Sequence, residues 1–127
     1  MRFLTLRLPW PPSVNTYWRH IVINGRPRTL ISKAGRQYKT HVQLIASRYG
    51  PFVKPIAMWI HAYPPDRRKR DIDNILKAPL DSLEKAGVYK NDSQIVELHA
   101  FKHEPVKGGY LDIKMCCSAL GRYVDLF

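Results

Sequence analysis

Residues 56–87 read IAMWIHAYPPDRRKRDIDNILKAPLDSLEKAG, and they hold a strand, a charged loop and a helix in succession. Residues 56–63 are a run of apolar and aromatic side chains, as in a strand of the core. Pro64 and Pro65 end it, and a basic loop, 66–70, follows. Residues 71–87 set Ile72, Ile75, Leu76, Leu80, Leu83 and Ala86 on one stripe, the spacing of a helix with one buried face. Pro79 interrupts that helix. Inside a helix it removes a hydrogen bond and crowds the preceding turn, at a cost of about 3 kcal/mol. Two arrangements meet this: a helix kinked at Pro79, or a short turn ending near Lys77 with a second helix starting at Pro79.

Outward from this segment the pattern continues. Residues 2–8 alternate (Phe3, Leu4, Leu6, Leu8) as a strand does. Residues 10–20 read as a stiff, aromatic-rich loop. Residues 21–23 and 26–31 flank Asn24-Gly25, a pair suited to the type I′ turn of a hairpin. Ser32 is placed to cap a helix running to about residue 49, stopped by Gly50-Pro51. Its buried side holds Tyr38, Val42, Ile45 and Ala46, with Leu44 at the edge. Arg36, Lys39, Gln43 and Arg48 face outward. After a turn at 89–92, residues 95–103 and 110–116 form the last strands, joined by Lys107-Gly108-Gly109. The tail, 118–127, has no readable pattern. The expected fold is a single α/β (α+β) domain over residues 1–127, a mixed sheet packed with at least two helices.

The bulk numbers bound the partners. A chain of 127 residues with 45% hydrophobic content builds one domain with a real core. A net charge of +11 calls for a polyanion, most simply nucleic acid. No segment approaches the roughly 18 consecutive apolar residues of a membrane span. Arg7 and Pro9 break the only N-terminal apolar stretch, so no export signal is expected. Cys116 and Cys117 are adjacent, with alpha carbons about 3.8 Å apart across a trans peptide, below the usual disulfide range. The histidines are too scattered to complete a zinc set with them. A reduced, cytoplasmic protein is the expectation.

The acids are distributed unevenly. Residues 1–65 hold ten Lys/Arg and no Asp/Glu. Six of the ten acids then fall between Asp66 and Asp92. A surface built to meet phosphate avoids carboxylates unless a divalent cation neutralises them. Asp71, at the start of the helix, can remain extended and let Asp73 converge with it. Asp92 follows one helix later and can be returned to the same point. Three carboxylates suit a hard cation, Mg2+ or Mn2+, which would polarise a scissile phosphate and activate water. Lys77 stands four residues after Asp73 and would share its face, reaching the same phosphate. Each piece has a plainer use: Asp71 as an N-cap, Asp73–Lys77 as a surface ion pair, Asp92 as a turn residue. The adjoining run Arg67-Arg68-Lys69-Arg70 favours the metal-site reading. With Lys33, Arg36 and Lys39 of the first helix, that run would line a DNA face with salt-sensitive affinity.

Other residues are weaker candidates. Trp10 is expected to pack its loop onto the core. Tyr17, Trp18, Arg19 and His20 offer surfaces for exposed bases. Asn15 has two uses open to it, orienting the active site or holding its turn, and the turn is favoured. His61 and His99 are expected to be packed within strands.

Three blocks in order, LPWPPSVN, PPDRRKRDIDNILKA and LEKAGVYKNDSQIV, together resemble the RusA family of Holliday junction resolvases, often encoded by prophages. The resemblance runs from about Leu4 to Tyr110. It implies a magnesium-dependent endonuclease acting as a homodimer on four-way DNA junctions and nicking two opposed strands symmetrically. It places the family's acidic catalytic positions on Asp71, Asp73 and Asp92, and the catalytic lysine on Lys77. The setting implied is a bacterial or phage-infected cell, with the protein at the nucleoid. Asn91 departs from relatives that carry a second Asp there. Competing readings are a non-catalytic DNA-binding protein, a metal-dependent nuclease acting on other nucleic acids, and a basic module for an acidic protein.

Overall fold

The computed structural model describes residues 3–120. Six strands and three α-helices follow in the order β1 (Phe3–Pro9), α1 (Val14–Tyr17), β2 (Trp18–Ile23), β3 (Arg26–Ile31), α2 (Lys33–Ala46), β4 (Ile56–Tyr63), α3 (Lys77–Lys85), β5 (Ile95–Lys102) and β6 (Tyr110–Cys117). Four strands form one sheet in the order β1-β6-β4-β5, and β2 and β3 form a separate two-stranded ribbon. β4 and β5 are parallel; the other pairs are antiparallel. Parallel neighbours need a crossover, and the chain from Pro64 to Gln94, with α3 in its middle, provides it. The expected mixed α+β domain is therefore present. Arg2 and residues 121–127 lie outside the described residues.

The register sorts the sheet into two faces. Leu6, Ile113, Ile60 and Ala100 form one row across it, and Leu4, Met115, Met58 and Leu98 form the next. This face packs on Tyr38, Val42 and Ala46 of α2 and Ala78 and Leu83 of α3. The opposite face carries Thr5, Lys114, Trp59 and His99 in one row and Arg7, Asp112, His61 and Phe101 in another. Its rings stack on one another, Trp59 on His99 at 5.2 Å, His61 on Phe101 at 4.7 Å and Tyr63 on His103 at 4.7 Å. The expected packing of His61 and His99 within strands is thus ring stacking on an open face.

Several local expectations hold for stated reasons. Asn24 (φ 52°) and Gly25 (φ 74°) both take the left-handed conformation that a type I′ turn requires. Ser32 caps α2 by accepting from the Gly35 N–H at 3.0 Å. A Cβ on Gly35 would stand 2.7 Å from Ile31 Cγ2, so only glycine lets α2 lie this close to β3.

Others are corrected. Residues 10–20 are not all loop. Ser13 caps the four-residue α1, and β2 begins at Trp18. The helix of 71–87 is divided into a 3-10 turn over Ile72–Ile75 and then α3. Pro79 is the third residue of α3, where a backbone N–H has no intrahelical acceptor and its loss costs little. The 107–109 connection is not a hairpin, because β4 lies between β5 and β6. Leu44, placed at the edge of the buried stripe, is 80% exposed.

Candidate active site

The site is built where the chain leaves β4. Asp66 shapes the basic loop: its Oδ1 accepts from the Arg68 N–H at 3.0 Å and pairs with Arg70 Nη1 at 2.8 Å. These contacts, Arg70 first, hold the Asp66 carboxyl below its ordinary range. Lys102 Nζ donates to the Arg70 carbonyl at 2.7 Å and ties the loop to β5. Asp71 follows in extended conformation at the N-cap of the 3-10 turn, yet its side chain makes no capping bond. Asp73 lies in that turn's first residues.

Lys77 opens α3, and the plainer alternative of an Asp73–Lys77 ion pair is not what forms. Leu76 separates the 3-10 turn from the helix, so the α-helical four-residue spacing does not run from Asp73 to Lys77. Lys77 Nζ instead pairs with Asp81 Oδ1 at 3.1 Å and lies 5.5 Å from the centre of the Trp18 ring. Tyr17 donates its hydroxyl to the other Asp81 oxygen at 3.0 Å. Burial first, and then the Asp81 charge and hydrogen bond, push the Tyr17 phenol well above its usual range. Tyr17, expected as a surface for bases, is therefore a buried support for Asp81, which holds Lys77.

Asp92 is reached by a second short turn, Asp92–Gln94. Asn91 caps it, accepting from the Ser93 N–H at 2.8 Å, while the Gln94 side chain accepts from the Asn91 N–H at 3.1 Å. The Asp92 N–H donates to Glu84 Oε1 at 2.7 Å. The Tyr89 hydroxyl, bonded to the Leu80 carbonyl at 2.6 Å, feels the charges of Asp92, Glu84 and Asp81. The crossover thus holds Asp92 at Glu84, near the C-terminal end of α3.

Among the described residues, Asp71, Asp73 and Asp92 are the acids whose carboxylates have no partner. Asp66, Asp81, Glu97, Glu104 and Asp112 are paired with basic side chains, and Glu84 accepts from Asp92. All three unpartnered acids are exposed, in a chain with twice as many cations as anions. Their oxygen-only donor set suits a hard divalent cation. Among the described residues, no three such side chains are gathered closely enough to hold an ion as they stand.

The basic residues divide. Arg67 pairs with Glu104 at 3.0 Å and Arg68 with Asp66 at 3.7 Å, both exposed. Lys69 and Arg70 line a cavity of about 430 Å3 together with Trp10, Asn15, Asp71 and Asn74. A second depression continues from Trp10 and Pro11 to Gln37 and His41 of α2. A third continues from Gln37 and His41 to Lys33 and Arg36. Lys39 departs from this path and lies 5.8 Å from the centre of the Tyr17 ring.

Residues 9–115 match the family described as Endodeoxyribonuclease RusA. The chain belongs to this family. Similar proteins are each named crossover junction endodeoxyribonuclease RusA. The Shigella sonnei protein is 39% identical over 116 residues, covering 89% of this chain and 93% of its own. The protein of Escherichia coli strain K12 is 38% identical over the same shares. That of Enterobacteria phage 82 is 40% identical, covering 85% of this chain and 89% of its own.

Within this RusA chain the sequence reading missed Asp81 and Tyr17 as supports. The Lys77–Asp81 spacing was the available signal, since four residues within one helix share a face. Of the two uses open to Asn15, the turn is not the one it serves, since its side chain bonds nothing among the described residues and the residue lines the cavity beside Asp71. Ser13 and Thr16 hold that turn. Trp10 packs against the core as expected, and also walls the cavity.

Proposed function

We propose that this chain is a divalent-metal-dependent endodeoxyribonuclease that resolves four-way DNA junctions by paired, symmetric nicks in opposed strands. The observation that carries this is the set of unpartnered carboxylates, Asp71, Asp73 and Asp92, in a strongly basic protein. Leaving Asp71 unpaired in the same cavity as Lys69 and Arg70, with Asp73 and Asp92 unpaired as well, makes electrostatic sense if a cation is to join them. Asp71, Asp73 and Asp92 would hold that cation, Mg2+ or Mn2+, and the chemistry it would supply there is positive charge at the scissile phosphate and a lowered pKa of water. Lys77, steadied by Asp81, neutralises charge as it develops on the phosphate. Lys69, Arg70, Lys33 and Arg36 follow the depressions away from Asp71 and track the DNA backbone.

The active form in this proposal is a homodimer. A four-way junction presents equivalent strands, and a two-fold pair of sites matches them. The second copy packs on the uncovered sheet face. Among the described residues no helix lies over Phe3, Trp59, His61, Phe101 and Tyr110 on that face, which carries Lys114 and the Arg7–Asp112 pair near β1 and an acid on β5 (Glu97). A two-fold axis that lays one half over the other sets unlike charges together.

The test is cleavage of a synthetic four-way junction with and without Mg2+, beside linear duplex. Wild type is expected to make paired nicks only with junction and metal. Asp71→Asn is expected to bind the junction and to lose cutting by about a hundred-fold or more. Normal cutting by Asp71→Asn overturns the site, and tight binding without cutting under any metal overturns the enzyme.

A further inference from the structure

The cavity beside Asp71 has walls that a metal site does not need. Trp10 and two residues with side-chain amides, Asn15 and Asn74, line it together with the carboxylate. Neither amide makes a hydrogen bond among the described residues, although each carries donors and an acceptor. The backbone N–H of Asn74 is used by the turn, donating to the Asp71 carbonyl at 3.1 Å, so its side chain is spare. The Arg70 guanidinium lies 5.5 Å from the Trp10 ring centre. Indole and guanidinium planes are both surfaces on which bases stack. The volume, about 430 Å3, falls within the range of pockets that enclose small molecules.

We propose that this cavity is a base pocket, taking one unstacked nucleobase next to the phosphate to be cut and reading its hydrogen-bonding edge through Asn15 and Asn74. The inference rests on the nuclease reading above, and it adds to that reading the residues that choose where along a junction the cut falls. A phosphate alone would use Lys69 and Arg70 and leave the indole and both amides without a role. A base is neutral, has a face for Trp10, and has donors and acceptors for two amides. Bases at the exchange point of a branched DNA have lost part of their stacking, so drawing one out costs less there than within a duplex. Lys69 and Arg70 hold the adjoining backbone, which brings the neighbouring phosphate to Asp71.

The experiment uses the full chain and a set of four-way junctions that differ only in the nucleotides flanking the cut. Wild type is expected to discriminate between best and worst base by about ten-fold or more, the size of a good base-edge contact. Asn74→Ala and Asn15→Ala are expected to compress that spread to about two-fold. Asn74→Asp keeps acceptors and loses donors, and is expected to change which base is preferred. A merely structural role would slow all junctions alike. An unchanged order and spread in all three variants overturns the pocket, as does a wild type indifferent to base. If wild type cuts no junction, the nuclease reading fails separately. The pocket is then read from dissociation constants of the same junctions without divalent metal. Base-dependent constants that level out in Asn74→Ala sustain it, and equal constants in wild type overturn it.

Discussion

The two faces of the sheet share every backbone hydrogen bond and differ in what lies over them. On one face Leu8, Met58, Ile60, Leu111 and Ile113 are almost wholly buried beneath α2 and α3. On the other, Phe3 is 52% and Phe101 43% exposed, and the rings are covered by one another and by the Lys114 and Arg7 side chains. Burial of the first face drives folding. An aromatic face left in water costs solubility, so its persistence in a basic, soluble-sized domain points to a use after folding.

Neighbouring residues on β4 give the sharpest way to break this comparison. Met58 faces the helices and Trp59 faces out. Met58→Ala is expected to cost about 2–5 kcal/mol, read as a fall in Tm on the order of 10 °C. Trp59→Asp is expected to leave the monomer folded and to shift the proposed dimer to monomer in sedimentation. If Trp59→Asp sediments as wild type does, the open face is not where copies meet.

The covered side also holds Tyr17, Tyr38 and Tyr89, and burial is the largest cause that raises each phenol. A folded pKa above the unfolded value means that the stabilisation is complete below about pH 10 and is lost as pH rises toward the folded values. Absorbance near 295 nm should therefore show three of the seven tyrosines resisting ionisation until the fold opens. Early, reversible ionisation of all would contradict that packing.

A smaller effect is expected at Ser82 of α3, whose buried hydroxyl has no hydrogen-bond partner among the described residues. Ser82→Ala should raise stability by about 1 kcal/mol, measured in urea, because an unsatisfied group is removed. The smallest belongs to the open face. Arg7 and Asp112 form an exposed pair at 2.8 Å, and Arg7→Ala is expected to leave the monomer's Tm unresolved from wild type. A clear fall would mean that this face also contributes to folding.

Much of this was legible in the sequence where chemistry is local. Asn24-Gly25 and Ser32 announce their turn and cap, and residues 56–63 announce a strand. The open face was not legible. In IAMWIHAY both alternating sets are apolar or aromatic, so the strand reads as buried on both sides. Which set the helices cover is decided by tertiary packing. The three acids were legible as a cluster, but their freedom from partners was not, because it depends on which cations fold back. Asp73 illustrates the limit: spacing alone pairs it with Lys77, whereas the break at Leu76 gives Lys77 to Asp81.

The turn before β5 carries a consequence for mixed populations. Since Asn91 and Gln94 close it, the Asp92 side chain has no part in holding the backbone, and Asp92→Asn would be made, fold and accumulate like the intact protein. In a cell producing both, and with the proposed homodimer as the active form, the altered copies would enter dimers with intact ones and give assemblies with one live site. Such an assembly would nick one strand and leave the branch joined. On that proposal a defect at this residue would be dominant: the variant would poison its intact sibling rather than merely fail to help.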